Sequence, residues 1–371
     1  MHFIDLQAQR ARLGEPLNRA IAAAVASGQW ILGPQVKELE EALAAFAGVK
    51  HAIACANGTD ALQLVLMAWG IGPGDAIFVP AFTFCATAEV VSLVGATPVF
   101  VDVLEDTFNM DPASLETAIA MVKREGRLVP RAVIPVDLFG QTADYRAIEP
   151  VVRAAGLKLL CDAAQSYGAR LDDRIAGGIG DAAGTSFFPA KPLGCYGDGG
   201  ATFTDDDGLA ALLRSIRMHG AGSDRYDNVR IGLNSRLDTI QAAILIEKLR
   251  IFEEEIEMRN AVAGRYNAKL GASNRIRVPH VIPGAVSTWA QYTIRVPDRD
   301  RLQAELKANG IPTMIYYPIP LSRQTAYRHY PAAPTPVSDM LAKDVIALPM
   351  HPYLDEAAQD TIIQAVLECV G

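Results

Sequence analysis

From about residue 50 to 205 the chain alternates short apolar, β-like runs with helical patterns, and nothing else in it narrows the possible folds as far. The runs are His51–Cys55, Ala76–Val79, Thr97–Val101, Ala132–Val136, Leu157–Cys161 and Ala182–Phe187. Between them the spacing predicts helices over Asp60–Trp69, Ala86–Leu93, Pro112–Lys123 and Tyr145–Ala155. Leu62, Leu66 and Trp69 give the first of these helices an apolar face at helical spacing. Strands alternating with helices form a mostly parallel sheet covered by those helices, so the expected class is α/β.

A long helix is expected to start near Ser235, where Ser235-Arg-Leu-Asp238 reads as a capping box, and to run toward Tyr266. Beyond it lie strand candidates at Trp289–Val296 and Pro312–Tyr317, with helices at Arg301–Ala308 and Glu356–Leu367. The Pro-rich run Pro331–Pro336 reads as a surface loop. These features divide the 371 residues into a large domain, 1–249, and a smaller α+β C-terminal domain, 250–371.

Half of the residues are hydrophobic and the formal net charge is −8, a balance that argues against nucleic-acid binding. No run reaches the roughly 18 apolar residues of a membrane span. The N-terminus has no apolar signal region. The five cysteines are scattered and odd in number, without a CxxC pair, so a reduced cytoplasmic protein without disulfides or structural zinc is expected.

Chemistry in α/β folds gathers at the carboxyl ends of strands. The run Leu157–Cys161 ends in Asp162, and Gln165 follows three residues later. The run Ala182–Phe187 contains Ser186 near its end, and Lys191 stands just beyond in a loop rich in Pro and Gly. An acid on one strand end and a lysine past another is the arrangement that pyridoxal 5′-phosphate (PLP) requires. The lysine forms the Schiff base and the acid pairs with the pyridinium nitrogen. Gln165 is placed to reach the ring 3′-oxygen. Most single lysines are merely solvated; Asp162, Gln165, Ser186 and Lys191 in this order carry the argument. The phosphate needs donors, and Asn57-Gly58-Thr59-Asp60 lies between a strand and an amphipathic helix, where an exposed helix N-terminus makes an anion site. Phe84 is a candidate ring to stack on a flat cofactor. His51 and His219 are not spaced as a metal pair, and no metal site is assigned.

These residues together resemble the sugar-nucleotide aminotransferases of the DegT/DnrJ/EryC1/StrS family. The markers run over nearly the whole chain: FIDLQAQ at Phe3–Gln9, GQWILGPQVKELE at Gly28–Glu40, ANGTDAL at Ala56–Leu62, VPAFTFCAT at Val79–Thr87, PVDLFGQ at Pro135–Gln141, CDAAQSYGA at Cys161–Ala169, SFFPAKPLGCYGDGGA at Ser186–Ala201 and GLNSRLDTIQAAIL at Gly232–Leu245. The resemblance implies a PLP-dependent transferase of fold type I and a homodimer with shared active sites. By matching positions it makes Lys191 and Asp162 the catalytic pair, with Gln165 on the ring oxygen and Phe84 stacked on the ring. Gly58, Thr59 and Ser186 would hold the phosphate, and Asn234 would reach it from the neighbouring subunit. One subgroup has histidine in place of the lysine and acts as a dehydratase; Lys191 favours transamination.

The implied reaction moves an amino group from L-glutamate to a keto-sugar nucleotide, cycling PLP with pyridoxamine phosphate (PMP). The first choice of acceptor is UDP-2-acetamido-2-deoxy-3-oxo-glucuronate, in surface-polysaccharide biosynthesis; a dTDP-3-keto-6-deoxyhexose is the alternative. Substrate contacts are expected from His219, Arg225, Arg236 and Tyr317. The family segment YYPxPLHxQ spans Tyr316–Gln324 here, with Ser322 where a histidine is usual. A non-catalytic PLP-binding regulator, a desulfurase using Cys195 and a nicotinamide-binding protein remain as alternative readings.

Overall fold

A computed structural model describes residues 1–224 and 226–371. The chain opens with two helices, α1 (Leu6–Ala26) and α2 (Pro34–Ala47). The alternating segment follows as β1 (His51–Cys55), α3 (Gly58–Ala68), β2 (Asp75–Pro80), α4 (Ala86–Leu93), β3 (Thr97–Val101), α5 (Pro112–Glu125), β4 (Val129–Val133), α6 (Tyr145–Ala155) and β5 (Lys158–Asp162). Next come a small hairpin, β6 (Arg170–Leu171) and β7 (Arg174–Ile175), then β8 (Ala182–Ser186), β9 (Gly200–Thr204) and α7 (Asp207–Ile216). The last third holds α8 (Thr239–Leu249), α9 (Phe252–Leu270), β10 (Ala285–Val286), β11 (Tyr292–Arg295), α10 (Arg299–Ala308), α11 (Pro336–Asp344), β12 (Val345–Leu348) and α12 (Glu356–Val370).

Seven strands form the main sheet in the order β1-β9-β8-β5-β4-β2-β3. The β3-β2-β4-β5-β8 part is parallel. Only β9 runs against its two neighbours. Side chains alternate across such a sheet, and the core splits accordingly. Ala76, Phe78, Val99, Leu159 and Phe203 pack on one face. Ile53, Leu62, Leu66, Ile77, Val79 and Leu160 pack on the other. A further cluster is built from Val262 onward, around Tyr266, Tyr292, Leu302, Ile346 and Ile362. All five cysteines are unpaired. Among the described residues no helix is long and apolar enough to cross a membrane.

The expected helix from Ser235 to Tyr266 is two helices, and its start lies later. The Ser235 hydroxyl accepts from the Ala56 N–H at 3.2 Å, so it is taken by a distant strand end rather than by a helical turn. Residues 234–238 stay extended, bridging Asn234 to Met218 and Asp238 to Ile31. The break at residues 250–251 separates two packing tasks. α8 packs on α1 and α2, whereas Phe252 turns toward Phe46 and Tyr167. Pro312–Tyr317 is not a strand: Met314 alone bridges Ala347, and Pro312 supplies no N–H. Pro331–Pro336 is more than a surface loop. Phe100 of edge strand β3 donates to Pro331 O and accepts from the Ala333 N–H, both within 3.0 Å, and Ala333 and Thr335 are buried. An exposed sheet edge is thereby covered.

Candidate active site

The carboxyl ends of β5 and β8 lie side by side. Asp162 closes β5 abreast of Gly184 in β8, and Ser186 lies two residues further along. Asp162 is buried. Its Oδ2 accepts from the Thr87 hydroxyl at 2.8 Å and its Oδ1 from the Ala164 N–H at 3.1 Å. Burial raises the carboxyl above the usual range, while the Thr87 and Ala164 bonds and the nearby Lys191 charge oppose that rise. Two fixed donors leave lone pairs free for a third, facing the site.

Lys191 lies in the irregular loop between β8 and β9. The loop is fixed by its own backbone: Lys191 N–H donates to Phe188 O at 2.8 Å and Cys195 N–H to Phe187 O at 2.8 Å. Gly194 packs so close that a Cβ would sit 2.5 Å from Pro189 O. Desolvation pushes the Lys191 amine down to about 8, with Asp162 pulling it partly back. Among the described residues the amine makes no hydrogen bond. A poised, partly neutral amine beside a carboxylate is a nucleophile with a charge partner.

Gln165 is buried one turn beyond Asp162. Its Oε1 accepts from Phe139 N–H at 2.7 Å, and its Nε2 donates to the Tyr317 hydroxyl at 3.0 Å. The Tyr317 ring lies 6.3 Å from Phe84 and 6.2 Å from Phe82. Phe82 is fully buried, but Phe84 is 54% exposed, a large apolar ring beside Tyr317 still open to solvent. The start of α3 touches the end of β8: a Cβ at Gly58 would sit 2.6 Å from Ser186 Cβ. Asn57 caps only the Asp60 N–H, at 2.8 Å. The N–H groups of Gly58 and Thr59 belong to a first helical turn and have no helical acceptor.

The remaining expected residues have other partners within one chain. Asn234 is exposed and pairs with Met218 along the backbone. Arg236 points its Nη1 to Met218 Sδ at 3.8 Å. His219 is exposed with a φ of 60°, its N–H held by Leu233 O. Arg225 lies outside the described residues. Ser322 is buried with its hydroxyl 3.4 Å from that of Thr335.

Two groups escaped the sequence reading as site residues. Thr87 is bonded to Asp162 from 75 residues away. Asp137 lies against the other side of the β5 end, its N–H on Asp162 O at 3.0 Å. The apolar runs around each were visible, but nothing local signals these partners.

Comparison with known proteins gives the chain's relatives. UDP-2-acetamido-2-deoxy-3-oxo-D-glucuronate aminotransferase of Pseudomonas aeruginosa is 49% identical over 368 residues, 99% of each chain. The crystal structure of a DegT DnrJ EryC1 StrS aminotransferase from Brucella abortus is 56% identical, superposes with a TM-score of 0.98 and covers 100% of both chains. NtdA from Bacillus subtilis, solved with bound cofactor PMP, is 27% identical with a TM-score of 0.89, over 99% of this chain and 83% of its own. Residues 12–367 match the DegT/DnrJ/EryC1/StrS aminotransferase family, and the chain, with its fold-type I architecture, belongs to that family.

Proposed function

We propose that this aminotransferase moves the amino group of L-glutamate to C3 of UDP-2-acetamido-2-deoxy-3-oxo-glucuronate. The observation that carries the choice of sugar is the 49% identity, end to end, with the Pseudomonas aeruginosa aminotransferase named for it. The cofactor is PLP, alternating with PMP. The residues present fit it: a desolvated amine, a buried carboxylate, an open helix N-terminus against a hydroxyl, and a half-exposed ring.

When bound, PLP supplies an electron sink for the carbon that loses its proton. Lys191 would hold the cofactor through its amine, and the same partly neutral amine is placed to take a proton from, and return it to, the substrate carbon. Asp162 would accept from the protonated ring nitrogen, and Thr87 and Ala164 hold that carboxylate in place. Gln165 presents an N–H toward the ring oxygen. Gly58, Thr59 and Ser186, packed together at the start of α3, would receive the phosphate. Phe84 would stack against the ring, and Tyr317 closes the wall beside Gln165.

The homodimer is part of the proposal. Trp30, Ile31, Tyr196, Val229 and Ile231 are apolar and exposed, as an uncovered interface would be. Asn234 would enter the partner's phosphate site from this surface, with His219, Arg225 and Arg236 directed to the substrate's carboxylate and diphosphate. The division into domains 1–249 and 250–371 is likewise proposed, supported by the separate hydrophobic cluster beyond Val262.

The test is an absorption spectrum before and after L-glutamate. A band near about 410–430 nm should give way to one near about 330 nm, and the keto-sugar nucleotide should restore the first. A PLP band unmoved by any amino acid would sink transamination and favour a regulator.

A further inference from the structure

We infer that Asp137 is a positioning residue of this site, which holds the turn that locks the Gln165 side chain in one orientation. The inference rests on the proposed cofactor contacts of Gln165 and Asp162. Asp137 is 1% exposed. Its Oδ1 accepts from the Ala143 N–H at 2.8 Å and the Tyr145 hydroxyl at 2.7 Å, and its Oδ2 accepts from the Ser166 hydroxyl at 2.8 Å. Every bond to the side chain therefore comes from a donor. Ser166 is the neighbour of Gln165, so one carboxylate ties the turn after β5 to the turn at residues 137–143.

The second turn carries the consequence. Phe139 has a φ of 61°, a conformation that non-glycine residues rarely adopt and that surrounding bonds must enforce. Its N–H meets Gln165 Oε1 at 2.7 Å. A backbone N–H can only donate, so the amide oxygen is pinned there and Nε2 faces Tyr317 and the site. Only that orientation offers N–H to an anionic ring oxygen; the flipped amide would offer a carbonyl. Asp137 acts through Gln165, without touching substrate.

The groups that face Asp137 are Tyr145, Cys161, Asp162, Ser166 and the Ala143 amide; Lys191 and Thr87 lie beyond Asp162, and Tyr317 beyond Gln165. Burial pushes the Asp137 carboxyl up to about 7 and the Asp162 charge adds to it, whereas the three donors favour the ionised form.

The experiment is a pH titration of the cofactor's absorption in the holoenzyme, with cofactor affinity measured alongside. It compares wild type, Asp137→Ala, Asp137→Asn, Gln165→Ala and the Asp137→Ala/Gln165→Ala double variant. Losing a donor at an anionic oxygen makes the adjacent proton harder to remove. The Asp137→Ala midpoint should therefore rise by about one pH unit, and cofactor affinity should fall by about tenfold. Asp137→Asn keeps Oδ1 for Ala143 and Tyr145 and can donate to Ser166, so it should restore most of both. In the Gln165→Ala background, Asp137→Ala should add nothing. A wild-type midpoint in Asp137→Ala, or additive shifts in the double variant, would overturn the inference while leaving the cofactor site standing. If circular dichroism shows that Asp137→Ala does not fold, Ser166→Ala, which removes one bond, takes its place with the same expected direction. No cofactor band in wild type would overturn the underlying reading, and this inference with it.

Discussion

Two desolvated lysines in this chain share one electrostatic signature and differ in everything around it. Burial pushes Lys191 and Lys248 each down to about 8. Lys248, on α8, is 1% exposed, and its Nζ donates to Gly194 O at 2.5 Å while lying 4.5 Å from the centre of the Tyr196 ring. Glu255 is its charge partner. Lys191 has Asp162 nearby and no hydrogen-bonded partner among the described residues. A lowered lysine pKa is thus a mark of desolvation alone. What separates a reactive amine from a structural one is whether the surroundings already use its protons. The pair is also physically coupled, because the carbonyl that Lys248 holds lies in the loop that carries Lys191.

The largest effect should come from removing the free amine. Lys191→Ala should lower turnover by about 10³-fold or more, since both the covalent anchor and the base are lost. Steady-state assays with L-glutamate check this, and turnover within tenfold of wild type would break the distinction drawn here. Asp162→Asn should follow at about 10²-fold, because a neutral amide no longer favours the protonated ring nitrogen. In that variant the Lys191 amine also loses its nearby carboxylate, so its pKa should fall further.

A pH series sharpens the comparison at smaller scale. The neutral fraction of Lys191 falls off steeply below its pKa of about 8, so apoenzyme should capture PLP about fivefold faster at pH 8 than at pH 7, with at most about a further twofold above. The sign for stability follows from the same group. Its folded pKa lies below the ordinary 10.5, so the folded state binds fewer protons between about 8 and 10.5, and the stability penalty fades as pH rises through that window. Lys248 contributes in the same direction, so chemical denaturation alone cannot tell the two apart, whereas PLP capture can.

Legibility in the sequence divides along the same line as the two lysines. The strand–helix alternation was readable because a period of two or of 3.6 is local; the strands His51–Cys55 and Thr97–Val101 and the helices Ala86–Leu93 and Tyr145–Ala155 occur with the bounds their patterns predict. Asp162 and Lys191 stood out because each follows such a run. The N-terminal helix did not, because Gly14 and Pro16 interrupt its pattern at a kink. Tyr317 was visible only as a motif residue, since its bond to Gln165 spans 152 positions. Nothing in the sequence around Lys248 marks it as buried, and only the packing of α8 takes its charge out of water. Long-range partners leave no periodic trace, and they are what finish the site.

The smallest effects concern the loop clamp. Lys248→Met removes a buried charge but also strips Gly194 O of its donor, an unsatisfied acceptor worth about 1–3 kcal/mol. Relief of desolvation offsets part of that. Thermal denaturation should therefore show a loss at or below about 1–2 kcal/mol, with the glutamate half-reaction within a few-fold of wild type. Tyr196→Leu should cost less still, about 0.5–1 kcal/mol, since it removes only a half-exposed ring from the ammonium. The Tyr196 main chain would keep its two bonds to the Gln241 amide, at 2.8 and 3.2 Å, so the loop retains its other clamp. If either substitution instead abolished the half-reaction while the fold persisted, Lys248 would have to be counted with Lys191 as part of the chemistry. The difference between the two lysines would then lie in position along one reactive loop, and no longer in whether their protons are already taken.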